Sequence, residues 1–354
     1  MKPHNPALVA AFAHNVPVFQ GLYGELASRT SLTTIEPRWR WQMPPLDNPG
    51  LVPGLHLPMG GPGQWLRGGR LRTLAQQAGT VVLTRPHQMA WMPLLEGVDI
   101  VYHAVDDYMA YNRANAAWEA KEVALLRRAR HVFAVSDGLA DVLAQRGGIE
   151  RSRITTLSNA VARAWVPAQL PAARPLAGRR PLAGTLGVIS RRLRLDWLAQ
   201  AVEATPWLDW VFAGGLETAR LEDADHRTLK AMARQPNCRF TGKQTYQQLE
   251  DLARTLDVAL MPYAPVDVNP LGSPVRLFMH LPTGVPILST PGCQQTDQFA
   301  PLVTRCDSAQ SLVQRLEWLR ARGFDDGLRE QRWITAHHHT WDVRANTMLA
   351  ALGR

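Results

Sequence analysis

The chain has 354 residues, room for two domains of ordinary size, with 46% apolar and 19% charged residues, a globular rather than disordered composition. A net charge of +9 fits an anionic partner. The absence of an RNA-binding aromatic signature, zinc-finger spacing or basic zipper argues against nucleic acid. No apolar run reaches the ~18 residues of a membrane-spanning helix. Cys238, Cys293 and Cys306 have no paired spacing, so neither a disulfide framework nor a zinc ribbon is expected, and a reducing cytoplasm is the default.

In chain order, the opening "MKPHNPALVAAFAHNVPVF" is too short in its apolar part for a signal peptide. It reads as a strand over residues 7–13, followed by a loop in which His14 and Asn15 are low-ranked site candidates. Residues 37–45, "PRWRWQMPP", alternate tryptophan with arginine. That pattern suits either an anionic lipid interface or a strand packed on a sheet. Next come "TVVLTRP", "DIVYHAV", "HVFAVS" and "RITTLSN", with helical patterns such as "ANAAWEAKEVALLRRA" and "SDGLADVLAQRG" between several of them. The alternation predicts a parallel sheet with helices on both faces. Residues 167–184, "PAQLPAARPLAGRRPLAG", lack periodicity and read as a linker. A second alternating series follows, "GTLGVIS", "LDWVFAG", "CRFTG", "DVALMPY", "VPILST" and "LVTRC". The fold class is therefore α/β, with two doubly wound domains over 1–166 and 184–335 joined by a linker at 167–183. A helix within 336–354 suits either domain. Ligands are expected at the carboxyl ends of the strands.

Two stretches of the second half suit an anion. In "SPVRLFMHLPTGVPILST", Ser273 is a good N-cap and Pro274 suits the first helical position. Arg276 then lies in the first turn, where a cation is unfavourable by about 0.3–1 kcal/mol unless an anion neutralises it. A phosphate would satisfy both the arginine and the free amides, whereas a solvated arginine reaching Asp267 would be the structural alternative. Helical spacing places Ser273, Arg276, Met279 and His280 on a face turned towards a cleft. In "GTLGVISRRL", Gly187, Ser190, Arg191 and Arg192 form a strand-to-helix turn suited to a pyrophosphate, without the spacing of a dinucleotide fingerprint or a Walker loop.

In the first half, "DIVYHAVDDYMAY" ends a strand in candidate acid–base residues. Asp106 and Asp107 point to opposite sides of an extended chain, so one can act as a base while the other caps a helix. Asp106 is the preferred general base, Asp107 the cap or second acid, and His103 the alternative. Residues 337–339, "HHH", are expected in a loop or at a helix start with diverging rings. No metal is expected there, because ligand pairs on a helix favour i, i+4 spacing.

These residues resemble bacterial GT-B glycosyltransferases of the family 4 type (group 1). "GTLGVISRRLRLDWLAQAVEATPWLDWVFAGG" is similar to the first strand–helix–strand of that family's nucleotide-binding domain. "NCRFTGKQTYQQLEDLARTLDVALMPY" and "SPVRLFMHLPTGVPILST" are similar to its later segments, and "YHAVDDY" with "EVALLRRARHVFAVSDGLADVL" to the end of its acceptor domain. The resemblance covers roughly 80–350 and implies two Rossmann-like domains facing across a cleft. It also implies a nucleotide-diphosphate sugar as donor, with Arg276 and the Gly187–Arg192 turn at the diphosphate and Asp267 and Asn269 beside the nucleotide and sugar. Phe240, Thr241 and Gly242 would lie near the base. One departure stands out. The family's ribose-holding glutamate corresponds to Met279, and a thioether is only a weak hydrogen-bond acceptor.

The implied function is transfer of a hexosyl group, from a UDP-sugar by default and without metal or other cofactor, to a glycan or lipid-linked hydroxyl in cell-surface polysaccharide synthesis. The location would be cytoplasmic, with attachment to an anionic membrane face as a further expectation. The rivals are a phosphorylase or epimerase of the same fold and a non-catalytic partner subunit that has lost the ribose clamp.

Overall fold

The computed structural model describes residues 7–12, 17–38, 55–58, 62–111, 115–218 and 220–354. His14, Asn15 and most of the 37–45 stretch lie outside them, so the membrane reading of that stretch has no structural counterpart here. The chain forms two compact units, Met1–Ala160 with Trp341–Arg354, and Val161–Thr340.

The first unit contains strands β1 (Leu8–Ala11), β2 (Leu32–Arg38), β3 (Leu55–Pro58), β4 (Thr80–Leu83), β5 (Asp99–Ala104), β6 (His131–Ala134) and β7 (Ile154–Thr156). They pair in the order β3-β2-β1-β4-β5-β6-β7, every pair parallel. β1 is apolar throughout and β4 apolar after Thr80, and both are buried at all four positions, as a sheet covered on both faces requires. One side of the core is built from Phe12, Phe19, Tyr23, Leu26, Val82 and Phe133 together with Trp341, Ala345 and Met348. The helix Trp341–Ala351 therefore belongs to this unit. Its Trp341 lies against Gly21, where a Cβ would come within 2.3 Å of the indole nitrogen.

The second unit contains β8 (Leu182–Leu186), β9 (Asp209–Ala213), β10 (Cys238–Gly242), β11 (Val258–Met261), β12 (Ile287–Ser289) and β13 (Val303–Arg305), in the order β10-β9-β8-β11-β12-β13 and again all parallel. In both sheets the strand order reverses, between β1 and β4 and between β8 and β11. Such switch points open a crevice at the carboxyl ends of the strands.

The first compact unit ends at Ala160 rather than residue 166. Val161 pairs with Thr340, and buried Trp165 donates its indole N–H to the Met279 carbonyl at 3.1 Å. Residues 167–181 are docked on the second unit. Trp333 donates to the Pro167 carbonyl at 2.9 Å, Arg329 to the Pro171 carbonyl at 3.1 Å, and Arg179 pairs with both oxygens of Asp257 at 2.6 Å.

Candidate functional site

β8 runs into a turn at Gly187, whose φ of +88° is strained for any residue with a Cβ. The neighbouring chain is equally constrained, since a Cβ on Gly214 would sit 2.0 Å from the Gly187 carbonyl oxygen. After β11 the chain passes through Tyr263 to Asp267 and Asn269 before entering the short helix Val275–His280. The turns after β8 and β11 therefore meet at the switch point of this sheet.

Arg276 joins them. Its Nε donates to the Leu186 carbonyl and its Nη2 to the Val188 carbonyl at 2.5 Å, so the guanidinium brackets Gly187. It also lies 5.4 Å from the Tyr263 ring centroid. Among the described residues no carboxylate pairs with it. The alternative of an Arg276–Asp267 contact is not realised. The Asp267 carboxylate instead holds Arg191, and Arg192 at 3.6 Å. Asp267 has a φ of +51°, a conformation that Asp tolerates better than most residues. Its side chain is 7% exposed, against 31% and 34% for its two arginine partners. The arrangement gathers three guanidinium groups around a glycine turn, with one carboxylate to anchor two of them.

Asn269 is buried, and its amide donates to the Arg192 and Ala264 carbonyls at 2.8 Å each. It stitches the two turns together. Ser190 is buried and accepts from the Arg192 amide at 3.3 Å. Phe240 stacks on Phe212 at 5.0 Å, and Thr241 and Gly242 lie exposed at the end of β10.

The helix Val275–His280 departs from expectation in two ways. Its N-cap is Pro274, with ψ of 112° and no side-chain cap, and Ser273 precedes it, buried. Pro274 is extended rather than helical, which moves the start on by one residue. The expected cleft-facing side is also divided. Arg276 is half-buried, but Met279 is 4% exposed within the apolar core of the unit. His280 is fully buried, and neither ring nitrogen has a hydrogen-bond partner among the described residues. Burial, helped by the nearby Arg276 charge, pushes the His280 pKa down to about 3. It is held neutral beside Arg276.

In the first unit, His103 lies within β5 rather than on an open strand end. It is 2% exposed, its Nδ1 is 3.1 Å from the Tyr23 hydroxyl, and its ring packs edge-on to Phe19 and Phe133. Burial pushes its pKa down to about 3, a value suited to a core histidine. Asp107 caps the turn Tyr108–Ala110, accepting from the Met109 amide at 3.1 Å, and pairs with Arg146 at 3.0 Å. Arg146 also holds buried Glu122. Asp106 is half-buried and accepts from the Tyr111 hydroxyl at 2.8 Å. Unlike Asp107, it makes no ion pair with Arg146.

The sequence reading missed a buried network at the first switch point. The Gln88 side-chain oxygen accepts from the Thr84 and Arg85 amides at 2.7 and 2.9 Å, and its amide donates to the Ala11 carbonyl at 3.0 Å. Thr84 reaches the same Ala11 carbonyl, and Tyr108 donates to the Thr84 carbonyl at 2.6 Å. These bonds join the carboxyl ends of β1 and β4 and leave Arg85 exposed beside them. A Gln four residues after the Thr that follows β4 was the available signal. The Val188 and Leu216 side chains, about half exposed, also escaped notice near the second switch point. Of the three histidines at 337–339, His337 closes a helix and packs on Trp333, while His339 stacks on Phe278. They sit at a helix end, not a start. Among the described residues no cluster of three or more His, Cys, Asp or Glu side chains suits a metal.

No family model matches the chain. It is 24% identical over 227 residues to TuaH of Bacillus subtilis, whose name gives it a glycosyltransferase role in teichuronic acid biosynthesis. The match takes in 62% of this chain and 56% of TuaH, so the chain spans little more than half the length of that relative. Two solved structures align over nearly the whole chain. HepE of Anabaena, in complex with UDP, has a TM-score of 0.74 at 12% identity, covering 98% of this chain and 99% of its own. A glycosyltransferase from Rickettsia africae has a TM-score of 0.69 at 14% identity, covering 98% of each chain. The chain has the GT-B fold, and the resemblance to group 1 glycosyltransferases read from its sequence is borne out.

Proposed function

We propose that the protein is a nucleotide-sugar-dependent glycosyltransferase whose second unit binds the donor diphosphate at the Gly187 turn. The observation that carries this reading is the meeting of Arg276, Arg191 and Arg192 at the switch point of a GT-B sheet. A departing diphosphate gains negative charge as the glycosidic bond breaks. Preorganised guanidinium groups stabilise that charge without reorganising, and their number supports chemistry that needs no metal. UDP is the proposed nucleotide, supported by the UDP in the HepE complex. The acceptor is a hydroxyl of a glycan or lipid-linked sugar taken by the first unit, in cell-surface polysaccharide synthesis, a setting that TuaH's name supports. Hexosyl transfer, action in the cytoplasm and attachment to an anionic membrane face belong to the same proposal. Among the described residues no helix is long and apolar enough to cross a membrane. Asp106 is the proposed base, with its carboxylate oriented by Tyr111. An inverting transfer uses such a base, and a retaining front-face transfer does not.

The buried Met279 supports a second reading, a GT-B scaffold that works as a non-catalytic partner. The first experiment separates the two. Thermal shifts are measured with a panel of nucleoside diphosphates and nucleotide sugars, on the wild type and on Arg276→Ala. A shift with one diphosphonucleoside that disappears in the variant supports the transferase. Absence of any shift from a folded wild-type sample favours the partner subunit.

A further inference from the structure

The amino end of the second sheet holds a cavity of about 150 Å³, roughly ten times the ~10–15 Å³ that one water needs. Leu256 and Asp257, just before β11, and Val285, just before β12, form one side of it. The docked segment at Pro171–Arg174 and the stretch Gly323–Asp325 form others. All its lining residues belong to the second unit, and the strand polarity puts it at the opposite end of the sheet from Gly187 and Arg276.

Its charges are unbalanced in favour of cations. Arg174, Arg254 and Arg329 line it. Of the two lining carboxylates, Asp257 is already held by both arms of Arg179. The other, Asp325, accepts from the Gly327 amide at 2.9 Å and makes no ion pair with the three arginines. Arg254 pairs with Glu250 at 2.6 Å, and Arg174 donates to the Thr255 carbonyl. Arg329 has no carboxylate partner among the described residues. Its Nη1 donates to the Pro171 and Thr283 carbonyls at 3.1 and 3.4 Å, and its Nε and Nη2 have no protein acceptor among the described residues. Burial pulls its pKa below the ordinary arginine value, against the opposing charges of Asp325, Asp326 and Asp257, none of which pairs with it directly. The backbone fixes its position. Gly284 has a φ of +73°, and a Cβ there would lie 2.7 Å from Arg329 Cγ.

We propose that this cavity is a second anion site, which binds a phosphate group through the free edge of Arg329 with Arg174 and Arg254 at its rim. A guanidinium presents paired N–H donors that match phosphate oxygens. The carbonyls that already use Nη1 orient that edge before any ligand arrives. The site is separate from the donor turn and does not depend on it.

Calorimetric titration of inorganic phosphate into the full chain carrying Arg276→Ala removes the donor-turn arginine from the measurement. Saturable binding with a dissociation constant below about 1 mM is expected, weakened tenfold or more by the further change Arg329→Gln. Because Arg329 also braces two carbonyls, Arg174→Ala on the exposed rim serves as the second variant, with a severalfold weakening expected. Failure of phosphate to saturate, or binding unchanged by either substitution, overturns the proposal. Binding that is present in wild type and lost with Arg276→Ala alone also overturns it, by assigning the phosphate to the donor turn and leaving the transferase reading intact.

Discussion

Restoring the glutamate that the resemblance leads one to expect at position 279 tests whether this helix face meets a ligand at all. The Met279 side chain sits in the core at 4% exposure, so Met279→Glu would bury a carboxyl. A carboxyl in apolar surroundings has its pKa driven to about 8–9, from about 4.3 in an unfolded chain. At pH 7 it is kept protonated, at a cost of about 1.4 kcal/mol for each of ~2.7 pH units, close to 4 kcal/mol. Lost methionine packing adds about 1 kcal/mol, and a carboxyl kept neutral gains no ion-pair attraction from Arg276, three residues earlier. The expected deficit of ~4–5 kcal/mol is a large share of the 5–15 kcal/mol that holds a domain together. Urea denaturation measures it. Since the folded-state pKa is raised, the penalty is absent below about pH 4.3 and grows as pH rises towards the folded-state value. The gap to wild type should therefore be about 2 kcal/mol smaller at pH 5.5 than at pH 7. Wild-type stability combined with tighter nucleotide binding would refute the burial argument and put position 279 on the donor surface.

The two core histidines predict an acid-sensitive fold. His103 and His280 stay neutral down to about pH 3, whereas an unfolded histidine protonates near 6.5. Stability is then lost as pH falls from about 6.5 towards 3, by about 1.4 kcal/mol per pH unit for each histidine. Denaturation at pH 7, 6 and 5 should show this, and His280→Leu should remove one proton's share of the slope. The same substitution should cost little at pH 7, because it deletes two unpaired polar atoms. Asp267→Asn should destabilise by about 1–2 kcal/mol. A buried pair that loses one partner costs 3–5 kcal/mol, but Arg191 and Arg192 are about one-third exposed and can rehydrate. A loss under about 0.5 kcal/mol would show that Asp267 does not anchor them.

The central strands were legible because they are largely apolar runs bounded by glycine, proline and short polar turns, whereas the mixed β2, "LTTIEPR", and the short β3 were not read as strands. "TVVL" and "VALM" are buried at every position, and in a doubly wound fold such runs have one architecture open to them. Arg276 was legible as a residue but not in its contacts. A sequence shows a cation in a first helical turn, whereas its acceptors, the carbonyls on either side of Gly187, lie 88 and 90 positions away. The burial of His103 was hidden for a related reason. A strand's end can be read from composition, but Tyr23, 80 residues earlier, closes over the ring. His280 and Met279 followed helical spacing to a face that the fold then buried. Six residues make too short a helix for periodicity to separate a core side from an open one.

The helix Trp341–Ala351 has a consequence for synthesis. Val161–Thr340 is one continuous stretch and has all its strands and helices once residue 340 has left the ribosome. The earlier-made unit does not. Phe19, Tyr23 and the groove at Gly21 await Trp341 and Met348, which are translated after the whole of the other unit. The half of the chain that is made first is therefore completed last. During that interval it carries an uncovered aromatic face on which a chaperone, or a second nascent chain, could settle.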